Sequence, residues 1–69
     1  MAVLKINGED KIFENSVPST LKNLLELLKV DEATVVAEVN GQIIPRGNFQ
    51  NTILRDGHKI ELIRFVGGG

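Results

Sequence analysis

The last three residues, Gly67, Gly68 and Gly69, are the part of the sequence that points most directly to chemistry. They follow the alternating run "ELIRFV" without a spacer. Three glycines add at most about 10 Å of reach and carry no side chains, so a narrow channel can admit them. The α-carboxylate of Gly69 becomes an electrophile once a nucleotide-dependent enzyme adenylates it. We expect a group carrier whose partners supply the catalysis, with passive terminal glycines as the alternative.

Two apolar residues beside this tail form a second candidate site. The alternation of the last strand predicts that Ile60 and Leu62 face the helix, which leaves Ile63 and Phe65 on the uncovered face of the sheet. Exposed apolar side chains can mark a docking surface. We therefore expect a partner to dock on Ile63 and Phe65. A loop that covers both residues is the alternative.

The other polar residues show no pattern of a catalytic or metal site. His58 is the only histidine and the chain has no cysteine, so no metal is expected and His58 is interpreted as a solvated turn residue. Glu9 and Asp10 fall in a predicted hairpin turn and are interpreted as solvated. Arg46 is expected to hold a loop carbonyl, with steering of an acidic partner as the alternative. Phe49 is expected to fill the core.

Length and composition limit the possible functions. The chain has 69 residues, of which 42% are apolar and 25% charged, and its net charge is −1. These values are typical of one small globular domain, with little room for a complete active site. Its basic residues are scattered, which argues against nucleic acid as a partner. No apolar run approaches membrane-spanning length and no signal peptide is visible, so a cytoplasmic protein is expected.

Residue periodicity predicts the elements. "AVLKIN" and "KIFE" alternate around Asn7-Gly8, which predicts a hairpin over residues 2 to 15. Leucines at 21, 24, 25 and 28 form the apolar stripe of a helix that Leu27 widens, with Ser19 or Thr20 as its cap. "TVVAEV" and "QIIP" predict two strands around a second tight turn. "RGNFQNTIL" is expected to be irregular, with one helical turn around Phe49. "KIELIRFV" is the last strand.

This order predicts an α+β fold of the β-grasp type, in which one main helix packs on one face of a mixed sheet of four to five strands. The first and last strands are expected to lie side by side and parallel in the centre. The predicted division is a β-grasp domain over residues 1 to 66 and a flexible glycine tail over residues 67 to 69.

Three segments together resemble a known family. "VNGQIIPRGNF", "DGHKIEL" and the final "VGGG" look like the sulfur carrier proteins of thiamine biosynthesis, the ThiS family, and the resemblance covers the whole chain. The turn Asp56-Gly57-His58 departs from the Asp-Gly-Asp that family members often have. Asp56 and Gly57 still supply the bend, so the departure bears on partner contacts and not on the carboxylate chemistry.

The resemblance implies a ubiquitin-like carrier that is not itself an enzyme and binds no cofactor. An E1-like adenylyltransferase would use ATP to adenylate Gly69. A desulfurase or sulfurtransferase would supply the sulfur for a thiocarboxylate there, and thiazole synthase would receive it. By position, Gly68 belongs to the essential glycine pair and Gly67 extends the tail.

Three alternatives stay open at this point. The small subunit of molybdopterin synthase uses the same thiocarboxylate, although the short length and the V-N-G-x-x-I-P-R segment favour the thiazole branch. A ubiquitin-like protein modifier would join Gly69 to lysines of target proteins. A plain β-grasp interaction module would keep its function without Gly68 and Gly69.

Overall fold

The computed structural model describes residues 1–65 and shows five strands, one α-helix and two 3₁₀ helices. The strands are β1 (Ala2–Ile6), β2 (Glu9–Phe13), β3 (Val35–Val39), β4 (Gln42–Ile44) and β5 (Lys59–Arg64). The helix α1 (Leu21–Leu28) follows the first hairpin. The 3₁₀ helices are Glu32–Thr34 and Arg46–Asn51, on either side of the second hairpin.

The five strands form one mixed sheet in the order β2-β1-β5-β3-β4. β1 and β5 are parallel neighbours in the centre, and every other pair is antiparallel. The predicted parallel centre and the β-grasp arrangement with one main helix are therefore confirmed. Because β5 is paired on both sides, the strand that leads to the C-terminal glycines is an interior strand.

The helix buries a narrower stripe than the leucine pattern predicts. Leu21, Leu24 and Leu25 are buried and Leu28 is half-buried, whereas Leu27 is 55% exposed. The prediction that Leu27 widens the buried face is wrong because α1 has only eight residues and one face on the sheet. Thr20 is the N-cap, and its hydroxyl oxygen accepts a hydrogen bond from the Asn23 amide at 3.1 Å.

Both connections beside the second hairpin contain a 3₁₀ helix. Asp31 caps the first of these helices by accepting from the Ala33 amide at 2.9 Å. The segment after Pro45 is a six-residue 3₁₀ helix where one helical turn was expected. It carries Phe49, which is 1% exposed and fills the core as predicted.

The first hairpin is tighter than predicted. Asn7 and Gly8 form a two-residue turn with φ of 51° and 83°, conformations that asparagine and glycine tolerate. β2 therefore begins at Glu9, so Glu9 and Asp10 lie in the strand opposite Ile6 and Lys5 and not in the turn. Both carboxylates are nevertheless exposed, and Asp10 pairs with Lys5 at 3.3 Å. Among residues 1–65 no helix is long and apolar enough to cross a membrane.

Candidate functional site

The candidate site is the end of β5 and the surface around it. Ile60 and Leu62 point into the core beneath α1, where they are 1% and 9% exposed. The alternate residues of the strand, Lys59, Glu61 and Ile63, are exposed, as the sequence pattern predicts. The strand is thus held by burial of one face and by pairing with β3 from Ile60 to Arg64, whereas β1 pairs only with Lys59 and Ile60.

Two asparagine side chains add to this hold. The amide of Asn7 accepts from the Leu62 N–H at 2.8 Å and donates to the Leu62 carbonyl at 3.2 Å. Asn40 Oδ1 accepts from the Lys59 N–H at 2.9 Å. Each asparagine occupies the first position of a tight turn, so each turn supplies a side chain that pairs with β5 beyond the backbone ladder. From the sequence pattern, both residues were predicted only as turn formers.

The last described residue of the chain, Phe65, is tied to the segment before β3. Its N–H donates to the carbonyl of Thr34 at 2.9 Å, one position beyond the regular pairing of Val35 with Arg64. Thr34 closes the first 3₁₀ helix. The position of Thr34 therefore helps to determine where the chain leaves the sheet.

The side chain of Arg46 also contacts the first 3₁₀ helix, Glu32–Thr34. Its Nε donates to the Glu32 carbonyl at 2.9 Å, and Nη2 donates to the Ala33 carbonyl at 3.0 Å. The expectation that Arg46 holds a loop carbonyl is confirmed, and the side chain holds two. The sequence signal was the arginine directly after Pro45, but its partner segment lies 13 and 14 residues away and could not be identified from the pattern.

The uncovered face of the sheet carries an apolar patch at this end. Ile63 is 54% exposed and Phe65 is 60% exposed. Val36 pairs with Ile63 across β3 and β5, and Ile43 of β4 lies one strand further, 64% exposed. We call these four residues the exit patch. Val36 and Ile43 were missed by the sequence analysis, although the alternation of β3 and β4 contains them.

Acidic residues border the exit patch. Glu38 and Glu61 lie directly opposite each other on β3 and β5, two positions along from Val36 and Ile63 and on the same face of the sheet. Glu38 also faces Ile43 across the β3–β4 pair. Like charges placed opposite each other do not stabilise a sheet. The exit patch is therefore an apolar area with two carboxylates along one side.

The other candidates do not form a chemical site. His58 is half-buried and accepts a hydrogen bond from the Arg55 N–H at its Nδ1, at 3.2 Å, so it stabilises the turn from within and is not simply solvated. The described residues include no group of three metal-ligating side chains. Gly67, Gly68 and Gly69, and with them the predicted boundary between domain and tail, lie outside the described residues.

Comparison with known proteins identifies relatives of the whole chain. The model of the ThiS family matches residues 3–69. A thiazole synthase of Paramagnetospirillum magneticum is 39% identical over 66 residues, which are 96% of this chain but only 20% of that protein. The sulfur carrier protein ThiS of Bacillus subtilis is 31% identical over 67 residues, which cover 97% of this chain and all of that one.

A solved structure shows the same fold. The crystal structure of a thiamine biosynthesis protein (ThiS) from Geobacter metallireducens superimposes with a TM-score of 0.81 at 34% identity, covering 97% of this chain and 99% of that one. Sequence and structure therefore agree along nearly the full length. The chain belongs to the ThiS family.

Proposed function

We propose that this member of the ThiS family is a sulfur carrier in thiamine biosynthesis, and that Gly69 carries the sulfur as a thiocarboxylate. The observation that supports this most strongly is the family match through residue 69, because it includes all three glycines. The geometry of β5 supports it as well. An interior strand, tied at Leu62 and Phe65, leads directly to those glycines.

The proposed chemistry takes place on the terminal carboxylate. Its oxygen attacks the α-phosphate of ATP in an E1-like adenylyltransferase, and pyrophosphate leaves. A persulfide sulfur of a desulfurase or sulfurtransferase then displaces AMP, and a thiol cleaves the resulting acyl disulfide to leave a thiocarboxylate. The thiocarboxylate is ionised at neutral pH, and its sulfur can attack an activated carbonyl in thiazole synthase.

In this proposal the chain itself is not an enzyme. It supplies a carboxylate and a scaffold, and its partners supply the activating groups and ATP. Thiazole synthase as the acceptor is supported by the P. magneticum protein of that name, in which a segment resembling this chain is part of the same polypeptide. Because the chain spans only 20% of that protein, the partnership is a proposal about a separate molecule.

We propose further that the exit patch docks on the partner while the tail enters the partner's active site. Ile63 and Phe65 are at the centre of this surface, and together with Val36 and Ile43 they form an apolar area beside the last strand. Docking at the end of β5 would hold the start of the tail against the partner.

Intact mass spectrometry tests the carrier function. The protein is incubated with an E1-like enzyme of this pathway, ATP and a sulfur source. We expect a mass increase equal to the exchange of one oxygen for one sulfur. Thiol-directed alkylation should then label only the C-terminal residue, because the chain contains no cysteine. A protein without Gly68 and Gly69 is the control. An unchanged mass with a partner of verified activity would refute the proposal.

Paired substitutions test the docking surface. Ile63→Ser removes an apolar side chain from the exit patch, and Ile53→Ser removes one that is similarly exposed, at 52%, but lies outside the sheet. We expect Ile63→Ser to raise the KM for the carrier about tenfold, as for a side chain of a docking centre, and Ile53→Ser to leave it unchanged. Equal effects would show that the patch has no special role.

A growth experiment separates the thiazole branch from the molybdopterin branch. The thiazole synthase relative favours the former. Deletion of the gene should create a requirement for thiamine or thiazole while molybdoenzyme activity stays intact. Loss of molybdoenzyme activity together with normal growth in a medium without thiamine would favour the molybdopterin synthase subunit. Isopeptide-linked adducts of Gly69 would indicate a protein modifier.

A further inference from the structure

Arg46 contacts the segment that holds the end of β5. The first 3₁₀ helix, Glu32–Thr34, ends where β3 begins. The last carbonyls of a helix have no partner within it. Here Arg46 donates to the carbonyls of Glu32 and Ala33, at 2.9 and 3.0 Å, and the next carbonyl, of Thr34, accepts from Phe65 at 2.9 Å. Three successive carbonyls thus connect one guanidinium to the exit point of the chain.

The backbone of Arg46 is itself fixed. Pro45 precedes it with φ of −60°, and the Asn48 N–H donates to the Pro45 carbonyl at 2.8 Å, which closes the first turn of the second 3₁₀ helix. That helix also carries the buried Phe49. The guanidinium therefore connects the second 3₁₀ helix, which is anchored in the core, to the first 3₁₀ helix. The first helix is not anchored in this way, because no residue of Glu32–Thr34 is buried.

We propose that Arg46 is a positioning residue for the C-terminal tail. By holding Glu32 and Ala33 it fixes the Thr34 carbonyl, and through the Phe65 N–H it fixes the place and direction in which the chain leaves the sheet. The proposal rests on the proposed carrier function, since an aimed exit matters only if the terminus is delivered to a partner's active site.

The geometry of these two hydrogen bonds suits arginine better than lysine. A guanidinium is planar, and its parallel N–H groups match two neighbouring oxygens, whereas an ammonium is a point charge on a flexible stem. Arg46 is exposed, and the β3–β5 pairing from Val35 to Val39 does not involve it. Its loss is therefore expected to loosen the exit point without unfolding the domain.

Two variants and one control test this. Arg46→Met keeps much of the length of the side chain but removes its hydrogen-bond donors. Arg46→Lys keeps the charge but lacks the two parallel N–H groups of the guanidinium. Arg55→Met is the control, because the Arg55 side chain makes no hydrogen bond within residues 1–65. The first measurement is hydrogen exchange of the Phe65 amide by NMR. We expect exchange about tenfold faster in Arg46→Met, an intermediate rate in Arg46→Lys, and no change in Arg55→Met.

The second measurement is the adenylation rate with the E1-like partner as a function of carrier concentration. A misaimed terminus should lower kcat roughly tenfold, because small misplacements of a reacting group reduce the rate strongly. KM should change less than kcat, because Val36, Ile43 and Ile63 of the exit patch keep their places in the strand pairs. A purely structural role would lower the unfolding temperature without this selective loss of kcat.

The outcomes distinguish the two proposals. If wild-type protein is adenylated and Arg46→Met is adenylated with the same kcat, the positioning role is refuted while the carrier function stands. If wild-type protein is not adenylated by an active partner, the carrier function is refuted. Unchanged exchange of the Phe65 amide in Arg46→Met would overturn the positioning role in either case.

Discussion

Asn7 offers the sharpest test of how β5 is held. Its side chain pairs with both backbone groups of Leu62, and its own backbone is in the left-handed region with φ of 51°. Two substitutions separate these contributions. Asn7→Gly removes both hydrogen bonds and keeps a residue suited to the backbone conformation. Asn7→Ala removes the bonds and adds strain.

The expected losses follow from the geometry. Each hydrogen bond contributes about 1 kcal/mol net, so Asn7→Gly should lower the free energy of unfolding by about 2 kcal/mol. A left-handed alanine costs roughly 1 kcal/mol more, which brings Asn7→Ala to about 3 kcal/mol. For a domain of this size, 1 kcal/mol corresponds to a shift of roughly 4–8 °C in Tm. Asn7→Ala should therefore lower Tm by at least about 12 °C.

Thermal and urea unfolding followed by far-UV circular dichroism measures these values, and this signal suits a chain without tryptophan or tyrosine. Asn40→Gly is the matched control, because Asn40 has a similar φ of 52° but accepts only one side-chain hydrogen bond from β5, at an exposed position. It should cost about half as much as Asn7→Gly. If Asn7→Gly and Asn40→Gly are equally stable, the bidentate contact with Leu62 does not contribute as argued.

Two further substitutions test the core and the helix cap. Phe49→Ala should cost about 3–5 kcal/mol, because the ring is 1% exposed, and should leave the domain largely unfolded at 37 °C by circular dichroism; a folded variant would contradict its role as core. Thr20→Ala should cost about 1 kcal/mol in urea unfolding, because the Asn23 N–H loses its cap at 3.1 Å, whereas Thr20→Ser should be nearly neutral. Equal costs would exclude the hydroxyl as the stabilising group.

The local parts of the fold were predictable because they depend on short sequence signals. The two Asn-Gly turns follow from the conformations that these residues tolerate, and the buried residues Ile60 and Leu62 follow from the two-residue period of a strand. Where the local signal was weak, the prediction failed. Leucine at position 27 looks apolar in any window, and only the narrow contact of a short helix with the sheet leaves it exposed.

The long-range parts of the site were not predictable in this way. The sequence indicates that Asn7 forms a turn, but not that its amide reaches Leu62, 55 residues later. It indicates that Arg46 is polar and follows a proline, but not that two carbonyls near Thr34 are within its reach. Such contacts depend on which strands become neighbours, and that is a property of the assembled sheet.

The number of residues after Phe65 limits the geometry of any partner that would act on Gly69. Four peptide units separate Phe65 from Gly69, so the Gly69 Cα can lie at most about 14 Å from the Phe65 Cα, given about 3.3–3.6 Å per extended residue, and the carboxylate is attached directly to it. If the partner holds Phe65 in the exit patch, its reactive phosphate must lie within that distance of the docking contact. A strand at the edge of the sheet would fray and blur this distance. At the end of β5, the Asn7 side chain pairs with Leu62 and the Thr34 carbonyl accepts from the Phe65 N–H, so in the proposed carrier the start of this distance is held in place.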